Sequence, residues 1–427
     1  MASGVPLQKT KTAVKRISSE EGWLNMASEN ESSGSKAVSD APAKASLVND
    51  PRVRAIFYQA LLLAGVVWFF IYIFGNLNAN RASQNIRTGF DFFGNTSSFD
   101  IGFTLIDYDR SSTFLDVLIV GFLNTMLVAV IGIILATILG FALGIARLSS
   151  NWIVARLATI LVETFRNIPL LLQMFFWYFG VLKLMPGVKQ SLELPLFIVF
   201  NNRGIVTPAP ILSDNFNTVW IALLITIVAA FFVTRWANAR QDATGIRPPA
   251  ARINAAMIIG VTGAVWLISG ASLNWSIPVL IGFNYQNGIH IPPEFLALLW
   301  ALTIYTAVFI AEIVRAGILA VPTGQSEAAK SLGLKEGDRL RQVIIPQALR
   351  VIVPPLTSQY LNLTKNSSLA VAIGYPELVS VFMGTSLNQT GQAVEVVAVT
   401  MLIYLTLSLT TSAFMNWYNA RIALTER

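Results

Sequence analysis

The sequence predicts an all-α membrane protein with about eight transmembrane helices. Of its 427 residues, 54% are hydrophobic and only 12% are charged, whereas a soluble domain carries about 25% charged residues. The apolar stretches are continuous rather than alternating, which indicates spanning helices and not the strands of a barrel. Several of them exceed the roughly 20 residues that a helix needs to cross a bilayer. We therefore expect a multi-pass protein.

Composition also excludes several kinds of function. The chain has no cysteine and a single histidine, His290, so we expect no disulfide, no thiol chemistry and no metal site. The net charge of +7 is expected from Lys and Arg in cytoplasmic loops and does not call for a nucleic acid. An intramembrane enzyme would need a cluster such as His-Glu-x-x-His, two Asp residues in spans or a Ser–His pair, and the sequence contains none of these.

The N-terminal 50 residues predict a disordered cytoplasmic tail, because residues 28–50 contain few large apolar side chains. The early basic residues are not followed by an apolar stretch, so we do not expect a signal peptide. Met26 is a second possible start. The first span, about 53–74, follows Arg52 and Arg54 and therefore begins in the cytoplasm. A polar loop up to residue 113 then lies outside.

The remaining apolar stretches predict the other spans. Their approximate bounds are 114–146, 152–184, 218–236, 253–273, 295–320, 346–383 and 394–417. The loop after the fourth span is basic and is predicted to be cytoplasmic, whereas the loop 274–294 has no Lys or Arg and is predicted to lie outside. This alternation of charge places both termini in the cytoplasm.

Residues 324–355 form the most polar long segment of the second half, yet they lie between two spans. We expect Ser326 to cap a short helix and Gly333 to end it with a left-handed turn. Asp338 is expected to cap a second helix. That helix would carry Leu340, Val343 and Ile344 on one side and Arg339 and Arg341 on the other. Two such helices predict a docking surface for a cytoplasmic protein, and a loop without a partner is the alternative. A helix-turn-helix that reads DNA is disfavoured, because the flanking spans leave no room for a major groove.

The same segment resembles the EAA loop of ABC importer permeases, which has Glu-Ala-Ala, then a Gly, then an Ile-Pro pair. The matching residues are Glu327, Ala328, Ala329, Gly333, Ile345 and Pro346. In that family the loop contains the coupling helix, which inserts into the ATPase subunit. The resemblance implies a cytoplasmic coupling loop over residues 321–350. Its candidate coupling residues are Ser326, Glu327, Ala328, Ala329, Gly333, Leu334 and Gly337.

Residues 121–180, 306–333 and 347–378 resemble the polar amino-acid branch of these permeases, partly through Lys-Asn-Ser-Ser-Leu at 365–369. The resemblance implies a type I ABC importer permease core of five helices within 114–420. The core would be the second, third, sixth, seventh and eighth spans. The remaining spans would be an inserted helix pair at about 201–294 and an extra N-terminal helix. The size resembles the permeases of general L-amino-acid and glutamate/glutamine/aspartate/asparagine importers.

The resemblance implies a bacterial inner-membrane permease that moves L-amino acids, delivered by a periplasmic binding protein, into the cytoplasm. The chain has no GxxxxGK[ST] motif, so a separate dimer of ATPase subunits would bind ATP and Mg. This chain would need no cofactor of its own. A second permease subunit, either a related chain or a second copy, is also implied. The alternative is an ion-coupled secondary amino-acid transporter with inverted repeats, and the docking loop argues against it.

Five charged residues are predicted at or near membrane depth, where such residues pair or line a polar cavity. They are Glu163, Arg166, Glu312, Arg315 and Lys365. Glu163 with Arg166, and Glu312 with Arg315, are spaced three residues apart and are expected to pair on one helix face. We expect Glu163, Arg166 and Arg315 to brace the helix bundle.

The seventh span is predicted to break at Lys365, Asn366, Ser367 and Ser368. A broken span exposes helix-end amides that attract a carboxylate, and these side chains add further donors. We therefore predict a substrate path here, with Glu312 or a backbone carbonyl facing the ammonium group of an amino acid. The alternative is a capped kink that binds no ligand.

Overall fold

The computed structural model describes residues 51–83, 88–246 and 248–422. The chain divides into two units, Met1–Gln84 and Asn85–Arg427. The described part of the first unit is one helix, α1 (Pro51–Ser83). Its apolar side chains are exposed, as expected of a helix that faces lipid. At 33 residues it is ~50 Å long, so its ends extend past the ~30 Å hydrocarbon layer. The predicted tail 1–50 lies outside the described residues.

The second unit is a helical bundle with several short strands. Its helices are α2 (Phe114–Ala146), α3 (Trp152–Arg166), α4 (Leu170–Phe175, extended by a π-helical segment Phe176–Leu182), α5 (Phe216–Thr244), α6 (Ala250–Ser269), α7 (Pro293–Leu319), α8 (Thr323–Ser331), α9 (Glu336–Arg339), α10 (Ile345–Asn366), α11 (Leu387–Thr390) and α12 (Ala393–Ile422). The predicted all-α membrane class is confirmed.

Within the described residues, six helices are long and apolar enough to cross a membrane, namely α1, α2, α5, α6, α7 and α12. The other two predicted spans are interrupted. The span at 152–184 breaks between α3 and α4, where Pro169 precedes the new helix. The span at 346–383 is α10, then a 3₁₀ segment Ser367–Ile373 and a π-helical segment Val379–Ser386. The count of eight spans therefore stays a prediction.

Helix α7 lies at the centre of the bundle, and 67% of its most apolar 18-residue stretch is buried. A helix that is apolar on all sides is stable only when other elements surround it. Glycines of α2 allow the closest approach to it. A Cβ atom added at Gly140 would lie 2.6 Å from Ile310 Cβ, and one at Gly144 would lie 2.7 Å from the Ala311 carbonyl oxygen. Small residues at such contacts are typical of helix packing in membranes.

Helices α5 and α6 pack against each other as a pair. Asn254 of α6 donates a hydrogen bond to Thr234 Oγ1 at 2.8 Å, and Asn215 donates to the Ser269 carbonyl oxygen at 3.1 Å. Most of their large apolar side chains are exposed, which suits contact with lipid. The two helices correspond to the predicted spans 218–236 and 253–273.

The segments on either side of this pair contain strands that the sequence analysis did not predict. They are β1 (Leu192–Leu194), β2 (Ile198–Asn201), β3 (Gly204–Thr207), β4 (Ala209–Leu212), β5 (Leu273–Ser276), β6 (Val279–Ile281), β7 (Asn284–Gln286) and β8 (Ile289–Ile291). An antiparallel sheet has the order β1-β2-β3-β8, and β4 pairs with β5 as β6 does with β7. Strands of three or four residues are too short to show alternation. The Asn287-Gly288 pair, with both residues at positive φ, was an available turn signal, although it joins β7 to β8, which pair with other strands.

Candidate coupling loop and substrate path

Helix α8 begins directly after α7, with Pro322 as the residue that precedes its first turn. The predicted capping role of Ser326 is therefore wrong. Pro322 is extended, with ψ of 137°, and starts the helix earlier, so Ser326 falls inside it. The Ser326 hydroxyl instead accepts a hydrogen bond from Arg339 Nη1 at 2.8 Å.

The predicted left-handed turn at Gly333 is confirmed, with φ of +73°. The Gly333 amide donates to the Lys330 carbonyl at 2.9 Å, and the Leu334 amide donates to the Ala329 carbonyl at 3.2 Å. These two bonds form a Schellman motif, which satisfies carbonyl groups that a helix end otherwise leaves free. The turn therefore sets where α8 ends and where the chain leaves it.

Helix α9 begins after Lys335, so the predicted cap at Asp338 is also wrong. The extended backbone of Lys335 starts the helix three residues earlier, and Asp338 lies in its first turn. Arg339 forms an ion pair with Glu336 on its own helix and donates to Ser326 on α8. Arg339 thus joins the two short helices instead of standing free on a basic flank.

The outer face of α8 is accessible to a partner. Glu327 and Ala328 are exposed, whereas Ala329 is buried against the rest of the chain. Leu332, at the end of the helix, is 80% exposed. A short helix that exposes an apolar side chain beside a carboxylate can bind in a groove of another protein.

The charged residues at the adjoining ends of α2, α3 and α7 form one network. Arg147 contacts Glu163 Oε1 at 3.3 Å and Glu312 Oε2 at 2.5 Å. Arg315 binds Glu312 Oε1 at 2.6 Å, which confirms that predicted pair. The predicted pair of Glu163 with Arg166 is wrong, since Glu163 binds Arg147 instead.

Arg147 lies at the centre of this network and was not predicted from the sequence. Arg147 is the residue that ends α2, and its side chain is only 10% exposed. Arg166 lies over the ring of Phe309, 5.8 Å from its centre, in a cation–π contact. The network joins α2, α3 and α7 shortly before α7 leads into α8, so these charges brace the bundle near the coupling loop.

Helix α10 ends at Asn366, and a 3₁₀ segment begins at Ser367. The predicted change of helix is therefore present, but no free helix N-terminus opens there. The Ser367 hydroxyl donates to the Thr364 carbonyl at 2.7 Å, and the Ser368 hydroxyl donates to the Lys365 carbonyl at 2.8 Å. Lys365 itself is exposed and Asn366 is partly exposed.

The full break of this span lies further on, after Gly374, where φ is +79°. The backbone amides of Val379 and Ser380 begin the next helical segment, and each donates to the Glu377 carboxylate at 2.8 Å. Tyr404 adds a hydrogen bond to the same carboxylate at 3.1 Å. The amides that open this next segment, which were not part of the prediction, are therefore occupied by Glu377, a fully buried residue that was not predicted from the sequence. Its place two residues before Val379, after a proline, was the available signal.

Glu312 and Lys365 lie at different depths in the bundle. A Cβ added at Gly132 would touch side chains of both Leu363 and Leu299, so the end of α10 is level with Leu299 on α7. Glu312 lies between three and four turns further along α7, ~20 Å away along the axis. The prediction that Glu312 faces the same ligand as Lys365 is therefore wrong, and Glu312 is paired with two arginines instead.

Comparison with known proteins identifies the family to which this chain belongs. The family described as "binding-protein-dependent transport system inner membrane component" matches residues 255–424. The general L-amino acid transport system permease of Rhizobium johnstonii is 50% identical over 382 residues, which are 90% of this chain and 95% of the relative. The glutamate/glutamine/aspartate/asparagine transport system permease of Rhodobacter capsulatus is 42% identical over 89% of this chain and 96% of the relative.

Among solved structures, an amino acid ABC transporter crystallised with histidines matches with 20% identity and a TM-score of 0.43, over 72% of this chain and 95% of that chain. Both relatives match over 95% or more of their own length, and the matched family model includes residues 321–383. The chain therefore belongs to the family of inner-membrane permease subunits of amino-acid ABC importers.

Proposed function

We propose that this chain forms part of the path by which an ATP-driven importer moves L-amino acids into the bacterial cytoplasm. The observation that supports the proposal is helix α8. This helix is short and exposed, ends at the left-handed turn of Gly333, and follows α7, the most buried of the long apolar helices. An ion-coupled carrier has no need of such a helix. The two relatives named for general L-amino acids and for glutamate, glutamine, aspartate and asparagine support the substrate class.

The loop from Ser326 to Gly337 docks into a groove on an ATPase subunit, and a pair of these subunits binds ATP and Mg. Glu327 supplies charge and Leu332 supplies apolar contact, since both are exposed. A periplasmic binding protein delivers the amino acid on the opposite side. A second permease subunit, either a related chain or a second copy, completes the path.

The orientation follows from charge. The C-terminal end of α5, which carries Arg235 and Arg240, is basic and lies in the cytoplasm by the positive-inside rule. Helices α5 and α6 then place the strands β1 to β8 on the outer side and α8 on the inner side. Trp236, which Arg240 covers at 5.4 Å from the ring centre, suits the inner membrane interface. Both chain termini are cytoplasmic in this arrangement.

The substrate passes beside Lys365 and Asn366. The exposed ammonium group of Lys365 supports this assignment, because it makes no ion pair in the described part of the chain. Ser367 and Ser368 position the end of α10 through their hydrogen bonds to backbone carbonyl groups.

Asn366→Leu should strongly reduce uptake per assembled complex, whereas Ser368→Ala should have a milder effect. If the segment is only a kink, both changes will lower stability and leave the apparent substrate affinity unchanged.

Reconstitution of the importer tests the proposed function. Proteoliposomes should hold ATP and Mg inside, with the binding protein and radiolabelled L-glutamine outside. We expect uptake that requires ATP and the ATPase subunit and that persists when ionophores collapse the ion gradients. Uptake that stops with the ionophores but survives removal of the ATPase would show an ion-coupled carrier instead.

A further inference from the structure

A cavity of about 360 Å³ lies where the first outer loop meets the start of α7 and the break after Gly374. Asp100 and Phe103 line it from the loop, Glu294 lines it from α7, and Ser380 and Thr385 line it from the segment beyond the break. Its volume lies within the range of roughly 300–1,000 Å³ of sites for small molecules. It is separate from the path proposed at Lys365.

The charged groups of this cavity are carboxylates. Asp100 is exposed and makes no hydrogen bond or ion pair with the described residues. Glu294 is held in place, since Tyr178 donates a hydrogen bond to it at 2.6 Å and Lys183 Nζ lies 3.6 Å away. Among the described lining residues there is no lysine or arginine. Lys183 offsets the charge of Glu294, so the unbalanced charge at the cavity is that of Asp100, and the cavity attracts a positive group more than a negative one.

The two sides of the cavity are joined by a buried side chain. Asn124 of α2 donates to the Phe103 carbonyl at 2.9 Å and to the Pro376 carbonyl at 2.8 Å. Asn124 is fully buried, and its amide oxygen has no partner among the described residues. The rings of Phe103, Phe295 and Tyr375 pack together beside it, with centres 5.8 to 6.1 Å apart. The cavity is thus a built site and not a gap between loose loops.

The cavity also contains uncommitted donors. The hydroxyl groups of Ser380 and Thr385 are partly buried and form no hydrogen bond with the described residues. A free amino acid carries an ammonium group, which needs acceptors, and a carboxylate, which needs donors. Carboxylates on one side and hydroxyls on another match both ends of such a molecule.

We propose that this cavity is an outer binding site for an amino acid, with Asp100 and Glu294 accepting from its ammonium group. The hydroxyls of Ser380 and Thr385 donate to its carboxylate. The proposal rests on the proposed function and adds a charge preference. The site favours neutral and basic amino acids over acidic ones, because an acidic side chain here would lie near the Asp100 carboxylate, which has no positive partner among the described residues.

The test uses the complete importer in proteoliposomes and the variant Asp100→Asn. The matched control is Asp107→Asn, since Asp107 is exposed in the same loop but does not line the cavity. We expect Asp100→Asn to raise KM for L-lysine and L-glutamine about tenfold, as for a lost charge-assisted hydrogen bond. KM for L-glutamate should change least or fall, and Asp107→Asn should behave as the unaltered importer does.

Two further measurements separate a binding site from a docking contact. ATPase stimulation by the unloaded binding protein should be the same for Asp100→Asn and the unaltered importer. Titration of the detergent-purified importer with L-lysine, without ATP, should show weaker binding for Asp100→Asn. Equal KM values for all three amino acids together with equal L-lysine binding would overturn the site, as would an equal effect of Asp107→Asn or a parallel loss of stimulation. Absence of uptake by the unaltered importer would refute the proposed function instead, and the titration would still decide on the site.

Discussion

Replacing Gly333 by alanine should displace the end of α8 although it brings no new atom near a neighbour. A Cβ at this position has nothing within 4 Å, so steric overlap with the rest of the chain is not the cause. The backbone φ of +73° is the cause, because a left-handed conformation costs an L-residue about 1–2 kcal/mol. With 1.4 kcal/mol for each tenfold change, the correctly closed loop should become about 5-fold to 30-fold less favoured.

The assay is the ratio of amino acid transported to ATP hydrolysed by the reconstituted importer. Gly333→Ala should lower this ratio and Gly333→Val should lower it further, whereas Gly333→Asn should retain more of it because Asn tolerates positive φ. Gly337→Ala is the matched control. Gly337 also has open space around it, but it lies in α9 without a positive φ, and alanine there favours the helix by up to about 1 kcal/mol.

An unchanged ratio for Gly333→Ala in an intact complex would refute this reasoning. Equal losses for Gly333→Ala and Gly337→Ala would refute it too, since the loop would then be sensitive to any side chain and not to the left-handed turn.

Three further predictions concern the bundle. Gly140→Ala should lower the free energy of unfolding of the detergent-purified protein by about 1–3 kcal/mol, because its Cβ would overlap α7; Gly132→Ala, whose nearest neighbour is a leucine methyl at 3.3 Å, should lose less. Arg147→Met should destabilise by about 1–3 kcal/mol, because Glu163 loses its partner and the partly buried Glu312 keeps only Arg315, and Glu163→Gln, at a half-exposed site, should cost less than about 1 kcal/mol. Residues 214–271 contain both α5 and α6, so replacing them by a two-residue turn removes an even number of helices and should leave α8 cytoplasmic. The turn can be accommodated because β4 and β5 already pair at the two ends of the replaced segment. A tag in the coupling loop that becomes reactive from the outside would contradict the topology.

The class of fold and the left-handed end of α8 could be predicted from sequence because they depend on local signals. Continuous apolar stretches predict spanning helices, and a glycine after a short polar helix predicts a left-handed end. The capping roles of Ser326 and Asp338 were wrong because Pro322 and Lys335 start their helices earlier. Helix starts depend on which of several adjacent residues takes the extended conformation, and composition alone does not decide this.

The contacts of the residues predicted for the substrate path were harder to predict, because they involve distant parts of the chain. A helical spacing of three suggested that Glu163 pairs with Arg166, yet Arg147 of another helix takes that place. The proline before Glu377 marks a helix start, but it does not show that this carboxylate, and not a ligand, occupies the amides of the next helical segment. The ~20 Å between Glu312 and Lys365 follows from how α7 and α10 pack, which the sequence of either helix alone does not contain.

The proposed contact between α8 and an ATPase subunit can be tested by site-specific photo-crosslinking. The chain contains no cysteine, so Glu327→Cys or Leu332→Cys each offers one site for a photoreactive maleimide, and Asp107→Cys is the control on the opposite side. We expect the assembled importer to give a covalent adduct with the ATPase from both α8 positions and none from the control. No adduct from either α8 position in an importer that transports normally, or an equal adduct from Asp107→Cys, would contradict the assignment of α8 as the coupling helix.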